Sequence, residues 1–511
     1  MKINFFIRLI FAAVFFSAGI QVFAQAESLG QFDGHGDVGS PAISGSANFD
    51  STNQTYTLTG GGVNVWGASD QFQFLWKKMK GDFIVRARVE FVGKGVEEYR
   101  KIGWMARSSL ESNASFVDAA VENGVGLISL QYRGFNEGKC AFIGLPIKSA
   151  DIVQLERRGT NYIFSAARSG ETFVSTNYSN ISLPDDIFVG LFICSHNPKA
   201  KEEVVFHDVQ IIRPAAQNFV PYKDYIGSVL EILDVQSGGL QTIHSSALPF
   251  EAPNWTRDGS ALIYNISGRA AGWGHLARFD LATKQEMIIN TDFANKNNND
   301  HVLSFDGTML AISDQSASHG GQSAVFTMPL EGGTPKRITT NSPSYAHGWS
   351  PDGKFLVFAG NRKGKFDIYK VSTDGQGEET RLTDSDGVND GPEFTPDGKY
   401  IYFNSSRTGR MQIWRMKPDG KEQEQVTHDN FNNWFPHISP DGKWIVFISF
   451  PADIDPKTHP YYKECYIRLM PIESGEPKVI AYIYGGQGSM NVPSWSPDSK
   501  KIAFVTNTDM N

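Results

Sequence analysis

Histidines, carboxylates and arginines recur at wide but regular intervals through the second half of this 511-residue chain. The histidines are His275, His301, His319, His347, His437 and His459, six of the chain's 11. Among them fall Glu251, Asp300, Asp390 and Glu464, the amides Asn389 and Asn491, the guanidiniums Arg362 and Arg407, and the indole of Trp434. Such side chains support three chemistries. Neutral imidazoles ligate divalent metals, and a carboxylate such as Asp300 beside His301 can orient one. His347, His437, Asp390 and Glu251 can take a proton or polarise a sugar carboxylate. Arg362 and Arg407 suit an anionic sugar through paired hydrogen bonds. No HxH or HExxH spacing strengthens the metal reading. "YGGQGS" around Ser489 lacks the GxSxG pattern of a nucleophile elbow, and there is no P-loop or strand-linked GxGxxG. Each of these residues alone is equally a solvated or hydrogen-bonded loop residue. Only convergence would make a site, so the elements that carry them decide.

Those elements repeat. Six segments align on a turn: "PNWTRDGSALIYNI", "HVLSFDGTMLAISD", "HGWSPDGKFLVFAG", "GPEFTPDGKYIYFNS", "FPHISPDGKWIVFIS" and "VPSWSPDSKKIAFVT". The turn aspartates are Asp258, Asp306, Asp352, Asp397, Asp441 and Asp498, spaced 48, 46, 45, 44 and 57 residues apart. A strand-turn-strand unit at a period near 45 predicts β-propeller blades. In the turn, Pro presets φ, Asp bonds back to the backbone and Gly supplies positive φ. Large apolar residues before it (Trp255, Trp349, Phe394, Trp495) should pack between blades. Five of the six pairs are followed by two further strands. The missing two lie upstream, at "LEILDV" (230–235) and "LQTIHS" (240–245), so the last blade should close from both ends of the domain, leaving no open sheet edge. In this layout the loops entering each blade and the loops between its second and third strands open on one face, opposite the turns. The histidines, carboxylates, amides and arginines named at the outset, with Trp434, fall in those loops. His301, His347 and His437, at equivalent channel mouths, are expected to act on one ligand.

The rest of the chain differs. "MKINFFIRLIFAAVFFSAGIQVFA" (1–24) has basic residues, an apolar run and a small-residue end, which predicts a secretory signal peptide. No later run approaches the roughly 20 apolar residues of a spanning helix, so the expected product is periplasmic or secreted. Net charge is −8, which disfavours a nucleic-acid partner. Cys140, Cys194 and Cys465 make no disulfide framework; Cys140 and Cys194 can pair or stay as buried thiols. Residues 27–213 lack the repeat and show alternating strands, among them "FIVRARVEFVG", "KIGWMARSS" and "EEVVFHDVQII", which predicts a β-sandwich. Trp66, Trp76, Trp104 and Tyr132 there can stack on sugars or fill a core. "RPAAQNFVPYKDY" reads as a linker (214–225) to a six-bladed domain over 226–509.

With these motifs in place, the propeller resembles the TolB-like family, whose WD40-like repeats carry this "SPDGK" turn and the same split blade. "SYAHGWSPDGK", "NNWFPHISPDGKW" and "GGQGSMNVPSWSPDSKK" look like an exported bacterial group within it. The first domain, at "QFQFLWKKMKGDFIVRARV", "KIGWMARSSLESNASFVDAAV" and "GVGLISLQYRG", is similar to concanavalin A-like jelly rolls, which often accompany carbohydrate-active proteins. These resemblances imply an all-β chain and carbohydrate recognition at the channel face. The alternatives are an oligosaccharide lyase or hydrolase using channel histidines, with a divalent metal as one option, and a non-catalytic envelope scaffold for a protein partner.

Overall fold

The computed structural model describes residues 28–510 apart from 123, 135–138, 180, 222, 269–272 and 317–319. The predicted signal peptide and His319 lie outside the described residues. Among the described residues the chain is built of strands, with one short 3-10 turn at Gln487–Ser489. No helix there is long and apolar enough to cross a membrane.

The first half forms two antiparallel seven-stranded sheets. Leu75, Trp104, Val117, Leu130 and Leu191 of one share a buried core with Tyr56, Val85, Leu155, Phe164 and Phe206 of the other. The alternating patterns read in the sequence supply these inward faces. Trp104 is wholly buried there, so it is core and cannot stack on a ligand. All three cysteines are free.

The second half is a six-bladed propeller. Five blades are four-stranded, and their innermost strands are Phe250–Trp255, Asn297–Leu303, Ser344–Trp349, Asn389–Phe394 and Asn432–Ile438. The sixth joins the last strand, Lys501–Thr508, to Gly227–Asp234 and Leu240–Ser246. Its innermost strand is reduced to a bridge between Trp495 and Ile502, flanked by bonds from the Ala503 amide to the Ser494 carbonyl, 2.9 Å, and from the Ser496 amide to the Lys501 carbonyl, 2.8 Å.

The turns show why their sequence recurs. In each, a Ser or Thr hydroxyl two residues upstream donates to the aspartate: Thr256 to Asp258, Ser304 to Asp306, Ser350 to Asp352, Thr395 to Asp397, Ser439 to Asp441 and Ser496 to Asp498, at 2.6–2.7 Å. Gly353 then takes φ +70°. The tryptophans before the turns lock blades together: the Trp349 indole donates to Val302 O and that of Trp495 to His437 O, both at 3.0 Å.

The sheet pair docks on blades five and six through buried polar groups. Gln210 donates to both oxygens of Glu231, at 2.9 and 3.2 Å, and accepts from Arg86 at 2.9 Å. Arg86 also donates to Gln154 at 2.8 Å and stands 3.7 Å from Glu464. The connecting residues pack as well, with Phe219 5.0 Å from Tyr462.

Candidate functional site

All five of the innermost strands carry a register shift, between Glu251 and Asn254, Asn297 and His301, Ala346 and Gly348, Asp390 and Glu393, and Trp434 and His437. A bulge of this kind breaks the two-residue alternation and re-aims side chains. His347 and Asp300 lie within two of these bulges. At Gly391 the backbone turns left-handed, φ +57°, and a Cβ would meet Phe435 Cδ1 at 2.8 Å, so only glycine fits.

Three of these bulges, at Asp300, His347 and Asp390, border a cavity of about 640 Å³ at the channel mouth, lined by Asp300, His347, Asp390 and His459 together with Trp273, Tyr345, Phe366 and the amides of Asn297–Asn299. A chain of polar contacts crosses it. His459 Nε2 lies 3.0 Å from Asp390 Oδ2, and His347 Nε2 lies 3.2 Å from Asp390 Oδ1 and 3.8 Å from Asp300 Oδ1. Asp300 accepts from Asn491 at 2.9 Å and from Asn298 at 2.7 Å. Glu251 accepts from Asn299 at 3.0 Å. The His347 ring stacks on Phe435, 5.9 Å between centroids, and His459 packs on Trp434 at 5.0 Å.

The electrostatics follow. Burial alone would lift the Asp390 carboxyl, but hydrogen bonds and charge from His347 and His459 outweigh it and hold Asp390 well below the usual carboxylate range. Burial would likewise lower His347, yet Asp390 and Asp300 raise it above its ordinary value. The pair is therefore an ionised carboxylate beside an imidazole that favours its proton. Among the described residues no group of three or more His, Cys, Asp or Glu side chains is placed to hold a metal ion.

The cavity thus gathers Asp300, His347, Asp390 and His459, with Asn491, Glu251 and Trp434 in the layer behind. Other residues of the expected site stand elsewhere. His301 is fully buried between blades, 3.3 Å from the Ile263 carbonyl, and burial pushes it down to about 4. His437 is buried against Glu393, 2.7 Å, and Met490 O, 3.2 Å, outside the cavity lining. The three histidines expected on one ligand are separated in this way, and only His347 faces the cavity. His275 stacks on Trp273 at 5.0 Å, behind the wall. Arg362 pairs with Glu379 at 2.8 Å, and Arg407 donates to Ser405, Gln423 and Asn389 and lies over the Trp414 ring at 4.5 Å. Both arginines thereby brace their own blades. Sequence reasoning missed Tyr345, Phe366, Trp273, Tyr225, Gln487, Lys296 and Lys457 in the wall. Tyr345 alone had a usable signal, two residues before His347 in an innermost strand.

A profile of the TolB beta propeller domain matches residues 344–455. An uncharacterised protein of Agrobacterium fabrum is 44% identical over 279 residues, which is 54% of this chain and 92% of that protein. The chain is also similar to a solved structure of a TolB candidate from Agrobacterium tumefaciens, at 43% identity over 56% of this chain and 99% of the other, with TM-score 0.52. It is further similar to a TolB structure from Acinetobacter baumannii, at 16% identity over 64% of this chain and 80% of the other, TM-score 0.39. The 279 matched residues cover the Agrobacterium fabrum protein almost end to end, which leaves it no room for a pair of sheets besides its propeller.

Proposed function

Because this chain belongs to the TolB-type β-propeller family, we propose that it is an exported binding protein of the bacterial envelope whose channel cavity receives a saccharide. One observation carries the reading. Stacking rings, Trp273, Tyr345 and Phe366, share a wall with a run of amides, Asn297–Asn299, over a hydrogen-bonded Asp–His floor. Sugars are recognised by this pairing of aromatic faces with planar polar groups. The resemblance of the first domain's sequence to the concanavalin A-like type supports a carbohydrate role and a periplasmic or secreted location. Catalysis has less support. Asp390, Asp300 and Glu251 each already accept hydrogen bonds from neighbours, so the floor is organised to orient a ligand more than to take a proton. A protein partner in the envelope is the second reading, supported by the family alone.

The test is calorimetric titration of the full chain with neutral and uronate oligosaccharides, beside Tyr345→Ala. The parent should bind at least one of them. The variant should lose about tenfold or more in affinity, the equivalent of about 1.4 kcal/mol of stacking, with little change in melting temperature. Failure of the parent to bind any saccharide overturns the reading.

A further inference from the structure

The segment that joins the sheet pair to the propeller runs beside the channel mouth. Its last aromatic, Tyr225, lines the cavity. Phe219 packs on Tyr462 at 5.0 Å and on Tyr461 at 6.4 Å, and Tyr461 lies 6.3 Å from Tyr225. Both tyrosines belong to an apolar cluster with Ile84 and Ile212 of the sheet pair. The Tyr462 hydroxyl accepts from the Ile226 amide at 3.2 Å, and its backbone is left-handed, φ +47°. Three residues earlier, His459 reaches into the cavity to Asp390. Between them the Pro460 carbonyl accepts from the Gln487 amide at 3.1 Å, and Gln487 is another wall residue. A single short stretch, 459–462, is therefore cavity wall at one end and domain contact at the other.

We propose that the sheet pair is a positioning element for the channel cavity. Its docking on Tyr461 and Tyr462 sets where His459 stands, and the His459–Asp390–His347 contacts carry that placement across the floor. Three residues of chain span at most about 10 Å, and Pro460 together with the left-handed Tyr462 removes most of their freedom. One end cannot shift while the other stays. By linkage, a molecule that fixes His459 favours docking, and docking favours that molecule. The inference builds on the cavity reading above and assigns a role to the unit for which the Agrobacterium fabrum relative has no room.

The test uses no ligand, so its failure is distinct from failure of the saccharide reading. Amide hydrogen exchange is followed by mass spectrometry in the full chain and in Phe219→Ala, which loosens the contact at a half-buried position. The Gly391 amide is the reporter, because it donates to Asp390 Oδ1 at 2.8 Å. Exchange should rise about tenfold both in 457–462 and in 389–391, with blade two over 324–338 unchanged, as expected of a local opening. If Phe219→Ala melts well below the parent, Phe219→Leu is read in its place. Acceleration confined to 457–462, or no acceleration at all, overturns the proposal.

Discussion

Glu231 should make a contribution to stability that is lost as pH rises from acid to neutral, and Glu231→Gln should remove that contribution. The side chain is 2% exposed, at the seam between blade six and the sheet pair. Burial pushes its carboxyl up from 4.5 to about 7, against hydrogen bonds from Gln210 and Thr506 and the charge of Arg86. A folded value above the unfolded one means that the native state holds the proton more tightly. The contribution of Glu231 is thus whole below about pH 4.5, declines as pH rises toward 7, and is lost above. At about 1.4 kcal/mol per pH unit, the interval is worth about 3 kcal/mol. Gln is shaped like the protonated acid and cannot ionise. Its carbonyl can still accept from Gln210, and its amide can donate to the Thr506 hydroxyl.

Urea unfolding of parent and Glu231→Gln at pH 4.5, 6 and 8 measures this directly. Other titrating groups, such as Glu156, which burial and Glu464 push up to about 8, act in both proteins and cancel in the difference. The variant should gain about 3 kcal/mol relative to the parent between pH 4.5 and 8. A difference that stays constant over that range would show that Glu231 ionises freely in the folded protein, and would refute the placement of a protonated carboxyl at the seam.

Asp390→Asn should destabilise the fold by roughly 2–3 kcal/mol, because it removes the nearer carboxylate from the buried His347 and leaves only Asp300, at 3.8 Å. It should also remove part of the acid limb of the parent's stability profile, since a carboxylate held below its usual range stabilises above about pH 4 and loses that contribution as pH falls and it protonates. Melting curves of the two proteins from pH 3 to 7 check both effects. Gly353→Ala should cost about 1–2 kcal/mol, read as a lower urea midpoint: Gly353 has φ +70°, and a Cβ there meets no atom within 4 Å, so the backbone penalty stands alone. An unchanged midpoint would mean that the turn relaxes.

The turns and the split blade were legible because their reasons are local. "SPDGK" carries its own cap, turn and strand start, and the count of strands on either side of six turns points to closure. His347, Asp390 and Asp300 could be placed at the channel for the same reason. The fate of His301 and His437 was not legible. Both follow a bulge, and a bulge shifts the facing of every later residue without a fixed signal in sequence. Arg362 and Arg407 were drawn inward on paper because their loops face the channel, yet their long side chains reach back to Glu379 and Gln423 in their own blades. Tyr225 reaches the cavity through the way the two units meet, which no local pattern encodes, whereas His459 was placed on the channel face from its loop.

The two ends of the blades obey different constraints, and the site follows from the contrast. At the turn end each blade needs only to close a hairpin, and six Ser/Thr–Asp bonds of nearly equal length do so. At the channel end, equal blades would crowd six identical side chains around one axis. Three innermost strands avoid this with a left-handed residue followed by proline: Ala252–Pro253, Gly391–Pro392 and Phe435–Pro436. The proline interrupts the ladder at the bulge, since it has no donor; pairing resumes at the next residue, and the residue before the proline carries a methyl, a hydrogen or a ring that lies against His347. Those blades leave the space that Asp300 and His347 occupy from the other two. A near-symmetric repeat thus yields an uneven floor: blades two and three bring Asp300 and His347, blade four adds Asp390 beside its glycine, and blade five sets the Phe435 ring against His347.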